Sequence, residues 1–385
     1  MKNMKVFYWN IGLLLVLIYI PLFLYSFQQK LQAIYPTNNF KKEVVLKKIL
    51  AVKSGYYPTY YPTNLLSLNK SIDIYPIGSY PYTSSYMCDE GYGLITYRSD
   101  RFGLRNSDKK WSKINQNKNI FIIGDSLVQG QCVPKNSTIT SNIENLTGEN
   151  TLNLGMGGNT PYEYMASLKS IVKPIIKNST HQNIVIILFF ANDNILINRK
   201  KESLLNSVNS IVKSSITSGI NPTNKYKDSF KSFIKNNYPH DSQEAIISRI
   251  QIKKENPMSK LSLYSSILTL YPIRITRAAL KTNVAQDNPS INTIKLLAEI
   301  CSNPCKPFVG YIPNNDFYDP HPLSIKYKTT LEEISKNLAI PFIDGTTVIN
   351  KDNQSNFAPE GRHLSIEGYK KISELIYLKI DSLDS

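Results

Sequence analysis

From residue 119 onward, apolar positions gather into short unbroken runs, separated by longer stretches in which they recur with helical spacing. Ile120-Phe121-Ile122-Ile123 is the first of these runs. Four apolar residues in a row fit a strand buried on both faces, the kind found in a parallel sheet. Further strands are expected at 151–154, 183–190, 307–312 and 341–343, and helices at 137–146, 162–176, 291–301, 324–338 and 365–378. Strands alternating with helices predict an α/β fold with a parallel sheet and right-handed crossovers. From 199 to 288 the rhythm gives way to basic, amphipathic helical pieces, read as an insertion such as a lid or a membrane-facing subdomain.

Ahead of this core the pattern changes twice. Residues 6–27 carry no charge and are dominated by Leu, Ile, Phe, Tyr and Val. About 22 residues of helix span roughly 33 Å, enough to cross a bilayer core. Lys2 and Lys5 precede the run, so the positive-inside rule leaves the N-terminus in the cytoplasm. A cleaved signal peptide is the rival reading, but its apolar core would be shorter, and no small-x-small site precedes Gln28. The expectation is an uncleaved transmembrane anchor over 1–28, with the rest of the chain periplasmic or otherwise extracytoplasmic. Residues 29–110 then read as a basic stalk and a Tyr/Pro-rich accessory segment, typified by Tyr56-Tyr57-Pro58-Thr59-Tyr60-Tyr61-Pro62. Extended pieces and turns packed on the main domain (111–385) are expected there, since proline removes donors and so many tyrosines make poor linker. Within it, Asp100 to Asn106 predicts a turn at Gly103 with Arg105 aimed at a carboxylate.

That placement makes the four cysteines informative, because disulfides persist outside the reducing cytoplasm. Cys301 and Cys305 are close enough to bridge around a tight loop, which leaves Cys88 to pair with Cys132; four buried thiols are the alternative. No C-x-x-C or paired histidine suggests zinc, and neither metal nor organic cofactor is expected. The formal net charge of +16 favours anionic partners such as lipid headgroups or acidic glycans. Nucleic acid is not expected, since the lysines are dispersed and extracytoplasmic.

Four stretches at strand ends carry the candidate chemistry. Gly124-Asp125-Ser126 follows the first apolar run, where a serine either caps the next helix or serves as a nucleophile at the carboxyl edge of the sheet. Asn153 to Thr160 is a glycine-rich turn whose free N–H groups could bind an anion or a developing oxyanion. Phe190-Ala191-Asn192-Asp193 sets an amide donor just beyond the most apolar strand. Glu360-Gly361-Arg362-His363 precedes the last helix; an acid three residues before a histidine can hold one ring nitrogen and leave the other as base.

In this order the stretches resemble the SGNH (GDSL) hydrolase superfamily. The resemblance implies a three-layer α/β/α domain with a flavodoxin-like parallel sheet. It makes Ser126 the nucleophile, His363 the base with Glu360 orienting it, and Ser126, Gly158 and Asn192 the oxyanion donors. Two positions depart from the family pattern: Ala191 stands where glycine is usual, and Glu360 where aspartate is. Cys88-Asp89-Glu90-Gly91 and Asp100 to Asn106 are also similar to stretches that precede the serine block in membrane-anchored bacterial members. The implied activity is a membrane-anchored serine esterase or deacylase acting on acyl esters of a cell-surface glycan or lipid. An O-acyltransferase with the same site, or a non-catalytic component of surface-polymer assembly, are the alternatives.

Overall fold

A computed structural model describes residues 38–62, 76–114, 116, 118–191, 193, 243–255, 288–301, 305–313, 324–350 and 353–382, with scattered residues within 17–24 and 217–228. Its centre is a sheet of five strands: β1 (Asn119–Gly124), β2 (Asn150–Gly155), β3 (Asn183–Phe190), β4 (Cys305–Ile312) and β5 (Phe342–Asp344). They lie in the order β5-β4-β3-β1-β2, and every neighbouring pair is parallel. The chain leaves β1 towards β2 at one edge, then returns past β1 to lay down β3. Ligands of open α/β sheets bind at such a reversal, outside the carboxyl ends of the strands.

The two-residue period of a strand explains the unbroken apolar runs. Phe121 and Ile123 enter the core on one side of the sheet, whereas Ile120 and Ile122 enter the core on the other. The first core is closed by helices α4 (Pro161–Ser167), α6 (Pro289–Ile300) and α7 (Ser324–Asn337), through residues such as Tyr164, Leu297 and Leu331. The second is closed by α3 (Ile139–Thr147) and α8 (Ile366–Asp381), through Ile143, Ile372 and Ile376. The result is three layers. At the amino ends of the strands, buried asparagines tie the register. Asn150 Nδ2 donates to Asn119 Oδ1 at 2.7 Å, and Asn119 Nδ2 to Asn183 Oδ1 at 2.9 Å.

The helix expected over 162–176 is interrupted by a π turn at Leu168–Val172. Pro174 lies in the first turn of the helix that resumes at Lys173–Lys177; lacking an N–H, it cannot donate to the preceding turn. The anchor expected over 1–28 falls almost wholly outside the described residues. Among the described residues, no helix is long and apolar enough to cross a membrane. Most of the 199–288 insertion also lies outside them. Its helix α5 (Gln243–Glu255) packs on α1 (Asn38–Lys53), with Ile246 against Val52 and Tyr86.

The accessory segment forms a three-stranded sheet from Tyr57–Pro58, Ser84–Tyr86 and Thr96–Arg98, and delivers Ile77, Phe102 and Leu104 to the first core. Its fastening point is Asp100. The Phe102 and Leu104 N–H groups donate to Oδ1 at 2.9 Å each; Asn106 Nδ2 and Trp111 Nε1 donate to Oδ2 at 2.9 and 2.8 Å. Gly103 makes the turn with φ +80° and lies against the Ser79 backbone, so close that a Cβ there would overlap Ser79 O. Asn106 then presents its amide to the edge strand β2, giving Nδ2 to Asn153 O (2.9 Å) and taking Asn153 N–H on Oδ1 (2.8 Å). Lys110 Nζ donates to Thr151 O on the same strand at 2.7 Å, so side chains of this segment cap part of the sheet edge.

Arg105 is not aimed at a carboxylate. Its guanidinium donates to the carbonyls of Gln129, Gly130 and Val133, and burial lowers its pKa to about 10. The reason is local: the turn after β1 ends in carbonyls that no helix continues to satisfy. Burial pushes the Asp100 carboxyl up to about 6 even though four donors face it. Asp100→Asn turns an amide towards two of those donors; we expect it to cost about 2–3 kcal/mol in urea unfolding, the scale of hydrogen bonds to a charged group offset by relief of a buried charge.

Candidate active site

Ser126 opens a one-turn helix, α2 (Ser126–Gln129), directly beyond β1. Asp125 caps it, Oδ1 accepting the Leu127 N–H at 2.9 Å, and Gly130 ends it in the left-handed conformation. The sharp turn leaves Ser126 at the switch point of the sheet. Its hydroxyl donates to Asp125 Oδ2 at 3.3 Å.

His363 reaches the same edge from the opposite end of the chain. Residues 356–365 fold back on themselves, with Phe357 bridged to Leu364 and the Ala358 N–H donating to His363 O at 2.8 Å. Ser365 then caps α8 by accepting the Gly368 N–H. His363 Nδ1 lies 3.8 Å from Cys132 Sγ, on the loop that leaves α2. His363 thus packs against the loop that follows the Ser126 turn.

The acid on the imidazole is Glu90, not Glu360. Glu90 Oε1 is 2.8 Å from His363 Nδ1, and Oε2 accepts the His363 backbone N–H at 3.1 Å. A carboxylate offers only acceptors, so Nδ1 carries a proton, and in the neutral imidazole Nε2 is the nitrogen with the lone pair. Burial works against the Glu90 charge, but attraction to the imidazole when it is protonated, and hydrogen bonds from the His363 side chain and backbone, hold its pKa below the ordinary value. Glu360 instead gives its backbone N–H to Glu90 O at 3.1 Å. Glu90 lies over Gly361, where a Cβ would come within 1.8–2.1 Å of its Cδ, Cγ and Oε2. Asp344 is engaged elsewhere, with Lys328 and Thr346. Gly361→Ala should therefore displace the carboxylate and lower kcat of any reaction using His363 by about 10²-fold, the usual cost of an ångström of misplacement. Steady-state kinetics checks this, beside a melting curve that shows the variant to be folded.

The signal for Glu90 was in the sequence, in Cys88-Asp89-Glu90-Gly91. Both expected disulfides are present, Cys88–Cys132 with Cα atoms 5.0 Å apart and Cys301–Cys305 at 4.8 Å. The first carries Glu90 to the serine loop. Although Glu90, Cys132 and His363 form a tight cluster, the sulfur is in a disulfide and is no thiolate ligand for a metal.

Gly158 follows β2 with φ +76°, half-buried, and its N–H finds no acceptor among the described residues. The neighbouring Gly157 N–H is occupied, donating to Gln129 Oε1 at 2.9 Å. Asn192 lies outside the described residues. Beside it, Asp193 accepts the Phe190 N–H at 2.9 Å and the Tyr164 hydroxyl at 3.1 Å on either oxygen. Burial first, then the negative charge of Asp125, push Asp193 well above the usual carboxylate range.

No family profile matches the sequence, and no curated protein does. Among solved structures, the chain is similar to a member of the lipolytic protein G-D-S-L family from Veillonella parvula DSM 2008 (13% identity, TM-score 0.35), over 69% of this chain and 98% of that one. It is similar to the M. smegmatis aryl esterase (11%, TM-score 0.35) and to a carbohydrate acetylesterase from Sinorhizobium meliloti (11%, TM-score 0.36), each over 69% of this chain and 99% of the other. These likenesses are remote, and the chemistry follows from the chain's own residues.

Proposed function

We propose that the protein is a serine hydrolase of ester bonds, of the SGNH type, with Ser126 as nucleophile, His363 as base and Glu90 as the acid that orients the base. The observation that carries this is the Glu90–His363 pair. One ring nitrogen is held by a carboxylate at 2.8 Å and lies 3.8 Å from the sulfur of Cys132, on the loop that follows the turn presenting Ser126 at the sheet's switch point.

Substrate arrival rotates the Ser126 hydroxyl away from Asp125 and towards His363 Nε2; such catalytic hydrogen bonds tighten only in the complex. The oxygen attacks the ester carbonyl while Nε2 takes its proton, and the Glu90 charge stabilises the imidazolium. The Gly158 and Ser126 N–H groups and the Asn192 amide receive the oxyanion; one such donor is worth about 2.7–4 kcal/mol. The tetrahedral species collapses as His363 returns the proton to the departing alcohol. Water, deprotonated by the same nitrogen, then attacks the acyl carbon, and His363 passes that proton to Ser126 Oγ as the acid leaves.

Acyl esters of a cell-surface glycan or lipid fit a basic chain of net charge +16 held outside the cytoplasm by the 6–27 segment. Two disulfides accord with that compartment. The test is the full-length protein with a short-chain aryl ester and a fluorophosphonate probe. Turnover should be measurable, and peptide mapping should find the phosphonyl group on Ser126. A folded protein that neither turns over nor labels there overturns the reading.

A further inference from the structure

We propose that the Cys88–Cys132 cystine is a positioning element of the active site, holding the acid and the nucleophile turn in one frame. The inference rests on the esterase reading for its kinetic arm alone. Cys88 lies two residues before Glu90, and Cys132 stands on the loop whose Gln131 N–H donates to Ser126 O at 3.0 Å. The bridge therefore links the backbone that carries the acid to the backbone that carries the serine. Its Cys132 sulfur also packs 3.8 Å from His363 Nδ1, the nitrogen that Glu90 must hold.

The surroundings repeat this arrangement from both sides. Cys132 adopts left-handed backbone (φ 62°), which non-glycine residues seldom do and which persists only where neighbouring bonds impose it. Arg105 supplies such bonds, with its guanidinium on the Gly130 and Val133 carbonyls. On the other side, Asp89 fixes the turn after Cys88. Its Oδ1 takes the Gly91 and Gly93 N–H groups at 2.9 and 3.1 Å, and its Oδ2 pairs with Lys47 at 2.8 Å. Each wall is tied by its own hydrogen bonds, and the cystine is the covalent join between them.

Reduction by a dithiol moves two electrons and two protons into the pair, leaves two thiols and oxidises the dithiol to its own disulfide. Glu90 then reaches His363 only through non-covalent contacts, and the freed Cys132 thiol can compete for Nδ1. Cys88→Ser with Cys132→Ser removes the join without adding a thiol.

The experiment compares the full-length protein with this double variant and with a Cys301→Ser, Cys305→Ser control, each with and without dithiothreitol. Two readouts are taken: aryl-ester kinetics, and the downfield proton resonance of the His363 Nδ1–H bonded to Glu90. The expected result is about 10²-fold lower kcat with KM little changed in the double variant, and loss of the downfield resonance. Reduced wild type and the reduced control should behave the same way, and reoxidation with glutathione disulfide should restore both readouts.

An unchanged kcat and resonance in the folded double variant would overturn the proposal. If the double variant does not fold, reduced wild type decides; unfolding there too would make the cystine merely structural and overturn it. If oxidised protein shows the resonance but no turnover, the esterase reading fails while the positioning result stands on the resonance alone.

Discussion

Ser126→Ala and His363→Ala should each lower kcat for an aryl ester by about 10⁶-fold, and the double mutant should be little worse. A nucleophile and its base act as one device, so losing either part loses the whole. What survives is the contribution of the oxyanion donors and of binding, which leaves a residual rate above that in water. Neither change should disturb the fold greatly. Among the described residues the Ser126 hydroxyl has one bond, to Asp125 at 3.3 Å, and the cap on α2 is made by Asp125 itself. His363 is more deeply tied through Glu90, so its substitution needs a melting curve alongside. Single-turnover measurement on the three variants checks the claim. Losses that multiply would show that the two residues serve separate purposes.

The layers and the crossover were legible because they depend on local pattern. Ile120 to Ile123 is apolar throughout since both faces of β1 are covered, and the turn at Gly124-Asp125-Ser126 follows from where that run stops. The folding back of residues 356–365 that presents His363 is likewise local. What the pattern concealed was distant in sequence. Glu90 is 273 residues from His363, and no periodicity links them. Glu360 stood three residues away and had the right chemistry. The backbone there passes through Gly361, and the space above that glycine is filled by Glu90 instead. The two clues that met at Glu90 were the Cys88–Cys132 pairing and the Cys-Asp-Glu-Gly stretch; the first puts the second beside the serine loop. Arg105 illustrates the same limit. A basic residue in a turn suggests a carboxylate, whereas the buried groups in need of a donor were main-chain carbonyls.

Glu90→Gln should lower kcat by about 10⁴-fold, whereas Glu360→Gln should change it by no more than a few-fold. A glutamine can present its NH₂ or its carbonyl to Nδ1, and the neutral carbonyl no longer supports an imidazolium. In serine triads the equivalent amide substitution favours the wrong tautomer and costs about that much. The Glu360 side chain is half-buried and its part in the site is through its backbone N–H, which glutamine keeps. Stability gives an independent reading of the same pair. The folded-state pKa of Glu90 lies below its ordinary value of 4.5, so its ionised form is stabilised by folding. That contribution is fully present above pH 4.5 and is lost as the pH falls through the lower, folded-state value. The melting temperature of wild type should therefore exceed that of Glu90→Gln at pH 6, and the gap should close on acidification below 4.5. A large kinetic loss in Glu360→Gln with none in Glu90→Gln would return the orienting role to the nearer acid.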